Sequence, residues 1–118
     1  MYRKMVQKIK PLFVHEDEQL MIVVPTCKKD FQQEGQNNHN CVGGYFERVL
    51  KGQCIVVFLR KKEEPEKAFC TVEFDLHGNV KQNRACYNRQ APEEAVQFIN
   101  NLSKIVQKRI EKQIAANA

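Results

Sequence analysis

The hydrophobic pattern predicts four strands, the last three of which are joined in sequence. Residues 20–24 and 54–59 are unbroken apolar runs, and short runs of this kind are typical of buried strands. Residues 69–76 alternate between apolar and polar positions, which predicts a strand with one buried face. A turn at Gly78 joins this strand to a more polar return strand over residues 80–87. The last three strands therefore form an antiparallel meander.

Other apolar residues fall at helical spacing. They predict a short helix over residues 41–50, which Gly52 ends, and a long helix over residues 92–115, which Pro92 begins. The polar stretch 32–40 predicts a loop between the first strand and the short helix. We expect an α+β fold: an antiparallel sheet of about four strands, a short helix after the first strand and a long C-terminal helix, with the helices packed on one face.

The chain has 118 residues, which is the size of one domain. We divide this single domain, residues 1–118, into a basic N-terminal arm or helix (1–15), a sheet and motif region (20–89) and the C-terminal helix (92–115). No apolar run approaches the ~18 residues that cross a membrane, and no apolar signal core follows the basic start. We therefore expect a cytoplasmic protein with no membrane partner.

Basic residues outnumber acidic ones, 19 against 14, which gives a formal net charge of +5. This excess favours an acidic partner, either nucleic acid or an acidic protein surface. The C-terminal helix carries Lys104, Lys108 and Lys112 every four residues, with Arg109 beside them. Such a basic stripe can follow a phosphate backbone, and a solvated helix face is the alternative interpretation.

A second cluster of binding residues is predicted near one end of the sheet. Arg60 follows the central strand, and Gln82, Arg84, Asn88 and Arg89 lie on the return strand or just after it. Side chains of this kind grip a phosphate or carboxylate with paired hydrogen bonds. Ordinary ion pairing and hydrogen bonding with neighbouring acids is the alternative.

Five cysteines and three histidines point to metal or thiol chemistry. Zinc takes four Cys or His ligands in a tetrahedron, and His39 with Cys41 forms an H-x-C pair. The preferred zinc ligands are Cys27, His39, Cys41 and Cys86, with Cys70 as a substitute. Burial as small apolar residues is the alternative for these thiols.

Cys41 is also a candidate nucleophile, because the start of a helix stabilises a thiolate and His39 is two residues away. No orienting acid or oxyanion hole is evident from the sequence. The chain also lacks a Walker loop, a G-x-G-x-x-G motif and paired acids at catalytic spacing. We therefore expect no enzymatic activity, and no nucleotide hydrolysis in particular.

Short motifs follow one another through the middle of the chain: Pro25-Thr26, Glu34-Gly35, His39-Asn40-Cys41-Val42-Gly43-Gly44-Tyr45, Gly52, Phe58-Leu59-Arg60, Glu64-Pro65, Thr71-Val72-Glu73, Gln82-Asn83-Arg84 and Asn88-Arg89. This succession resembles the C-terminal domain of PcfJ-like proteins, which occur on conjugative plasmids and phages. Two features depart from that pattern. Asn40 stands where family members often have a second histidine, and this domain stands alone where the family's domain usually belongs to a longer protein.

The resemblance implies a mobile-element context and no established catalytic chemistry. Small basic proteins of phages and plasmids often inhibit host defence. By that analogy, the resemblance implies a non-enzymatic protein that binds a host nucleoprotein, most concretely an anti-CRISPR inhibitor that blocks nucleic-acid access to a Cas9-type nuclease. A DNA- or RNA-binding accessory domain of a conjugative element is the alternative, and a Cys41-dependent thiol enzyme is the third hypothesis.

Overall fold

The fold is a five-stranded antiparallel sheet with helices on both faces. A computed structural model describes residues 2–40 and 42–117. Its elements, in chain order, are α1 (Tyr2–Phe13), β1 (Leu20–Val23), α2 (Lys28–Asn38), a 3₁₀ turn (Val42–Tyr45), α3 (Phe46–Leu50), β2 (Ile55–Lys61), β3 (Cys70–Phe74), β4 (Val80–Ala85), a second 3₁₀ turn (Cys86–Asn88), β5 (Arg89–Gln90) and α4 (Glu93–Asn117).

The strands lie in the sheet in the same order as in the chain, β1-β2-β3-β4-β5, and each neighbouring pair is antiparallel. The apolar strand β2 therefore lies inside the sheet, between β1 and β3, and not at an edge, as its composition predicts. On β3, Thr71 lies opposite Arg84 and Glu73 lies opposite Gln82. This register places four polar side chains side by side on one face of the sheet.

Each face of the sheet has its own hydrophobic core, because successive residues of a strand point to opposite sides. Val57 and Leu59 face the cluster that α1 and α4 cover, which includes Phe13 and Leu102. The opposite face carries a smaller cluster with Tyr2 of α1 and residues of α2, the 3₁₀ turn and α3: Tyr2, Phe31, Val42, Val49, Cys54, Val56 and Phe58. A clamp from Arg109, whose Nη1 donates to the carbonyl oxygens of Leu12 and Val14 at 2.9 Å each, ties α4 to the end of α1.

The α+β class and the long C-terminal helix packed on one face are confirmed. The sheet has one strand more than expected, since Arg89 and Gln90 pair with the end of β4. The expectation that the helices share one face is wrong, because α2 and α3 cover the face that α4 leaves open. No helix in the described part of the chain is long and apolar enough to cross a membrane.

The predicted loop over residues 32–40 is also wrong, because most of it belongs to α2. Phe31, Glu34, Gly35 and Asn38 are buried and form one helical face at the spacing i, i+3, i+4 and i+7. Gly35 is required by close packing, since a Cβ there would lie 3.1 Å from the backbone nitrogen of Gly43. Tertiary packing thus overrides the low helix propensity of this polar segment.

Candidate functional site

A cleft with a volume of about 350 Å³ opens on the α2 side of the sheet. One wall is formed by His39, Asn40, Val42 and Tyr45, and the remaining lining comes from β2, β3, β4 and Asn88. The close approach at Gly35 holds the segment that follows α2 against that helix, which fixes the first wall. The cleft therefore lies between rigid elements, as binding sites generally do.

Thr71 carries a hydrogen-bond network at the cleft. Its Oγ1 accepts a hydrogen bond from Asn38 Nδ2 and another from Asn40 Nδ2, both at 3.1 Å. Asn40 Oδ1 in turn accepts from the backbone N–H of Val42 at 3.0 Å. Because two donors occupy the lone pairs of the Thr71 hydroxyl, its proton is left to donate to a further group.

Among the described residues that line the cleft, Glu73 is the polar residue that is buried, with 5% of its surface exposed. Its Oε2 has no hydrogen-bond partner among residues 2–40 and 42–117. The cations of Arg48 and Lys81 lie 3.6 and 3.7 Å from that oxygen, which is ion-pair distance. Burial, together with the negative charge of Glu73, raises the pKa of the Cys54 thiol. A buried oxygen without a partner is costly, and it marks a place where a donor from outside would be accepted.

Backbone strain concentrates at the mouth of the cleft. Within residues 2–40 and 42–117, the non-glycine residues with left-handed backbone are His39, Tyr87 and Asn88, with φ of 51°, 59° and 59°. The rings of His39 and Tyr87 stack at 4.3 Å with an interplanar angle of 2°. Left-handed backbone in such residues is uncommon and collects at ligand-binding sites. The strain here holds two rings in one stack beside the cleft.

Several predicted binding residues meet at this cleft. Gln82, Arg84 and Asn88 line it, and the guanidinium of Arg89 lies 5.7 Å from the centre of the Tyr87 ring. Arg60 does not join them. It is buried, with 8% of its surface exposed, and its guanidinium makes a bidentate ion pair with buried Glu34. Arg60 therefore fastens α2 to the sheet, and the prediction that it shares a binding cluster with the others is wrong.

The basic stripe of α4 lies on the opposite face of the molecule. Lys104, Lys108 and Lys112 are exposed, as expected for either interpretation of the stripe. Arg109 is different, because the carbonyl groups at the end of α1 occupy its guanidinium. The stripe and the cleft are therefore separate surfaces, and variants can test each one alone.

Two of the predicted zinc ligands, Cys27 and His39, are not brought together. Cys27 precedes α2 and His39 follows it, so roughly 18 Å of helix separates them. Cys70 faces the α4 core on the other side of the sheet, where burial raises the pKa of its thiol to about 12. A set that contains both Cys27 and His39 cannot surround one ion, and Cys70 cannot substitute. Within residues 2–40 and 42–117, no group of three or more His, Cys, Asp and Glu side chains is placed to hold a metal ion.

Two of the zinc candidates remain near each other. Cys86 directly precedes Tyr87, whose ring stacks on His39. The third candidate, Cys41, lies between His39 and Cys86 in the sequence and outside the described residues. Zinc binding and thiol chemistry at Cys41 therefore stay predictions.

Sequence reasoning missed Thr71, Glu73 and Asn40 as residues of the site. Thr71 and Glu73 occupy the polar positions of the alternating strand, which are expected to face solvent when all helices lie on the other side. No hydrophobic periodicity in the sequence marks the helix that covers them, because the buried face of α2 includes the polar residues Glu34 and Asn38.

The fold and the cleft define a small α+β module with a polar binding cleft between its sheet and a group of short helices. The sequence matches the family model described as PcfJ-like protein over residues 2–99, and the chain belongs to this family. The family predicted from the short motifs is thus confirmed.

A relative from Listeria innocua serovar 6a, described as "Uncharacterized protein Lin1253/Lin1744", is 30% identical over 102 residues. The match covers 85% of this chain and 22% of the relative, so the chain spans about a fifth of the length of that protein. No solved structure matches the chain.

Proposed function

We propose that this chain is a non-enzymatic binding module that holds single-stranded nucleic acid at the cleft. The observation that carries the proposal is the stack of His39 on Tyr87, with the cation of Arg89 beside it and Arg84 lining the adjoining cleft. Aromatic rings next to cations are the usual equipment of single-strand binders, because bases stack on the rings and phosphates meet the cations. Tyr87 is 61% exposed, so a ligand can reach it.

The cations around the cleft come from three different elements. Arg48 belongs to α3, Lys81 and Arg84 to β4, and Arg89 to β5. All except Arg48 are exposed, and Arg48 is half-buried with its guanidinium against the ring of Tyr45. Cations spread around a cleft in this way can follow a backbone across it, which agrees with the net charge of +5.

A single strand fits this arrangement better than a duplex does. In a duplex the bases are stacked on one another, so exposed aromatic rings gain nothing from them. The α4 stripe of Lys104, Lys108 and Lys112 would be the duplex-binding surface, since it offers charge without rings. The two surfaces therefore predict different ligands.

Fluorescence anisotropy with labelled single-stranded DNA, single-stranded RNA and the matching duplex, at low and physiological salt, tests the proposal. Tyr87→Ala should weaken single-strand binding by roughly 5- to 150-fold, which corresponds to the binding free energy of one base stacked on an aromatic ring. Arg84→Ala should weaken binding and flatten its salt dependence. Lys108→Ala, which removes the same charge from the other surface, is the matched control and should change single-strand binding little.

No binding of any single strand at low salt would overturn the proposal. So would a loss of binding in Lys108→Ala that exceeds the loss in Tyr87→Ala, because the stripe would then be the site. Circular dichroism of each variant checks that the fold is intact.

The sequence-based prediction of anti-CRISPR activity is a different form of binding function, in which the protein binds a host Cas9-type nucleoprotein and blocks its access to nucleic acid. A nuclease assay with the protein in large molar excess tests it. Loss of cleavage that Tyr87→Ala restores would support this form, and unaltered cleavage by several nucleases would contradict it.

A structural zinc beside the cleft is the second sequence-based prediction. Cys86 directly precedes Tyr87, whose ring stacks on His39, and Cys41 is the third candidate ligand in the sequence. Elemental analysis of the purified protein tests this prediction. Stoichiometric zinc that is lost in Cys86→Ser and retained in Cys27→Ser would support it, and protein without zinc after purification in zinc-containing medium would contradict it.

A further inference from the structure

The hydrogen-bonding groups of the cleft are arranged in a definite pattern. Oε2 of buried Glu73 accepts no hydrogen bond from any residue that the structure describes, and only the cations of Arg48 and Lys81 lie at ion-pair distance from it. Across the strand pair from β3, Arg84 lies opposite Thr71, and the hydroxyl proton of Thr71 and the exposed guanidinium of Arg84 can both donate to a ligand. The cleft therefore places an acceptor next to a pair of donors, and a ligand that fits it must carry the complementary pattern.

His39 adds a flat surface to this pattern. It lines the cleft, and Tyr87 covers one face of its ring. A planar ring that enters the cleft can stack on the remaining face, with Tyr87 and Arg89 supporting the stack from behind. The stacking surface and the polar groups thus define a site for one planar, heterocyclic base.

We propose that the cleft selects guanine, with the Glu73 carboxylate accepting hydrogen bonds from the ring N1–H and the 2-amino group of the base. This inference rests on the proposed function, because it names the base that a bound strand places in the cleft. The donors of Thr71 and Arg84 then match the neighbouring O6 and N7 acceptors of the same base.

The other bases fit this pattern less well. A carboxylate has two acceptor oxygens, and guanine presents two adjacent donors to them on its pairing edge. Adenine and cytosine each present one amino group next to a ring acceptor, and uracil and thymine present one N–H between two carbonyl groups. An acceptor of the base placed against Glu73 would repel the carboxylate, so the buried acid discriminates against them.

The cations near Glu73 do not remove this preference. Arg48 and Lys81 lie 3.6 and 3.7 Å from Oε2, and that oxygen makes no hydrogen bond with either. They offset the charge of the buried acid and leave its lone pairs for a ligand. Without such cations, the free-energy cost of burying an ionised carboxylate would be too high for the folded protein.

The test compares two labelled oligothymidylates that differ at one central position, guanine in one and hypoxanthine in the other. Hypoxanthine lacks only the 2-amino group, so the first strand should bind roughly tenfold or more tightly. GMP and IMP, used as competitors, form a second arm that separates a free nucleotide from a base in a strand. The comparison uses the unaltered protein, so it needs no variant to fold.

Glu73→Gln supplies the matching protein variant, and it should bind the two strands equally well while retaining stacking on His39. Equal binding of the two strands by the unaltered protein overturns the guanine inference and leaves the proposed function standing. Discrimination between GMP and IMP, with no strand binding, overturns the proposed function and supports the guanine site. Absence of binding in both arms overturns both, and an unchanged guanine preference in Glu73→Gln overturns the assignment to Glu73.

Discussion

Removal of one member of the buried pair between Glu34 and Arg60 should strongly destabilise the fold. Glu34 is 2% exposed and Arg60 is 8% exposed, and the guanidinium makes two hydrogen bonds to the carboxylate, with Arg60 Nη1 2.7 Å from Glu34 Oε2. In Arg60→Met the carboxylate stays buried without its partner. The loss is then the cost of an uncompensated charge, about 3–5 kcal/mol, and exceeds the net worth of the pair.

The size of this loss is large compared with the total stability of a small domain, about 5–15 kcal/mol. Urea unfolding followed by circular dichroism measures this loss. An unchanged dependence of the unfolding free energy on urea concentration shows that Arg60→Met and the unaltered protein expose similar surface when they unfold. Glu34→Leu combined with Arg60→Met should recover most of the stability. Both side chains are then apolar, and the methionine can pack on Phe58, over which the guanidinium now lies at 5.4 Å.

The surface pair of half-buried Lys62 and exposed Glu16, 3.4 Å apart, provides the control. Lys62→Met removes the same kind of contact at the surface and should cost at most about 1 kcal/mol. The reasoning fails if Arg60→Met costs no more than Lys62→Met. It also fails if the double variant is as unstable as Arg60→Met, because the pair would then do more than neutralise two buried charges.

Three further predictions concern packing, thiol reactivity and pH. Gly35→Ala should destabilise the fold by about 1 kcal/mol or more despite the better helix propensity of alanine, because the new Cβ would lie 3.1 Å from the backbone of the cleft wall. Gly44→Ala, whose new Cβ would have nothing within 4 Å, is the control, and equal melting temperatures of the two variants would contradict the packing argument. Iodoacetamide at neutral pH should label exposed Cys27 and spare Cys70, since burial raises the pKa of the Cys70 thiol to about 12. Mass spectrometry measures the labelling, and similar labelling rates of the two thiols would contradict the burial of Cys70. Hydrogen bonds from the hairpin backbone, that of residue 79 foremost, lower the pKa of Asp75 in the folded protein. The stabilising effect of Asp75 is therefore present above the ordinary aspartate pKa near 3.9 and is lost as the pH falls through the lower pKa of the folded state. Asp75→Asn should reduce this acid sensitivity in thermal melts, and an unchanged pH dependence would refute the prediction.

Local patterns predicted the elements whose signals are self-contained. The unbroken apolar run that became β2, the turn at Gly78 and the helix start at Pro92 each depend on neighbouring residues alone. The helix α2 could not be predicted in this way. Its buried face includes Glu34 and Asn38, which are polar, and their burial depends on partners far away in the chain, Arg60 and Thr71. A helix held by buried polar contacts has no hydrophobic periodicity to announce it.

The error about α2 also explains what was predicted of the cleft and what was not. Gln82, Arg84 and Asn88 were expected to converge because they lie close together on one strand and the turn after it. Glu73 was missed, because a polar residue of an alternating strand becomes a buried acid only when helices cover that face. Arg60 was misplaced for the same reason, since its partner lies on the helix that the sequence pattern did not reveal.

The edges of the sheet have a consequence for how the protein behaves at high concentration. The edge strands have only four and two residues, and a bridge between Glu16 and Met21 covers part of the first. The segment most prone to form fibrils by composition, Ile55–Lys61, is flanked on both sides by other strands. Residues 58–61 of this segment pair with β1 and residues 55–59 pair with β3, so much of its backbone is already hydrogen-bonded in the folded chain, and detachment of β1 or β3 would expose it to a neighbouring molecule.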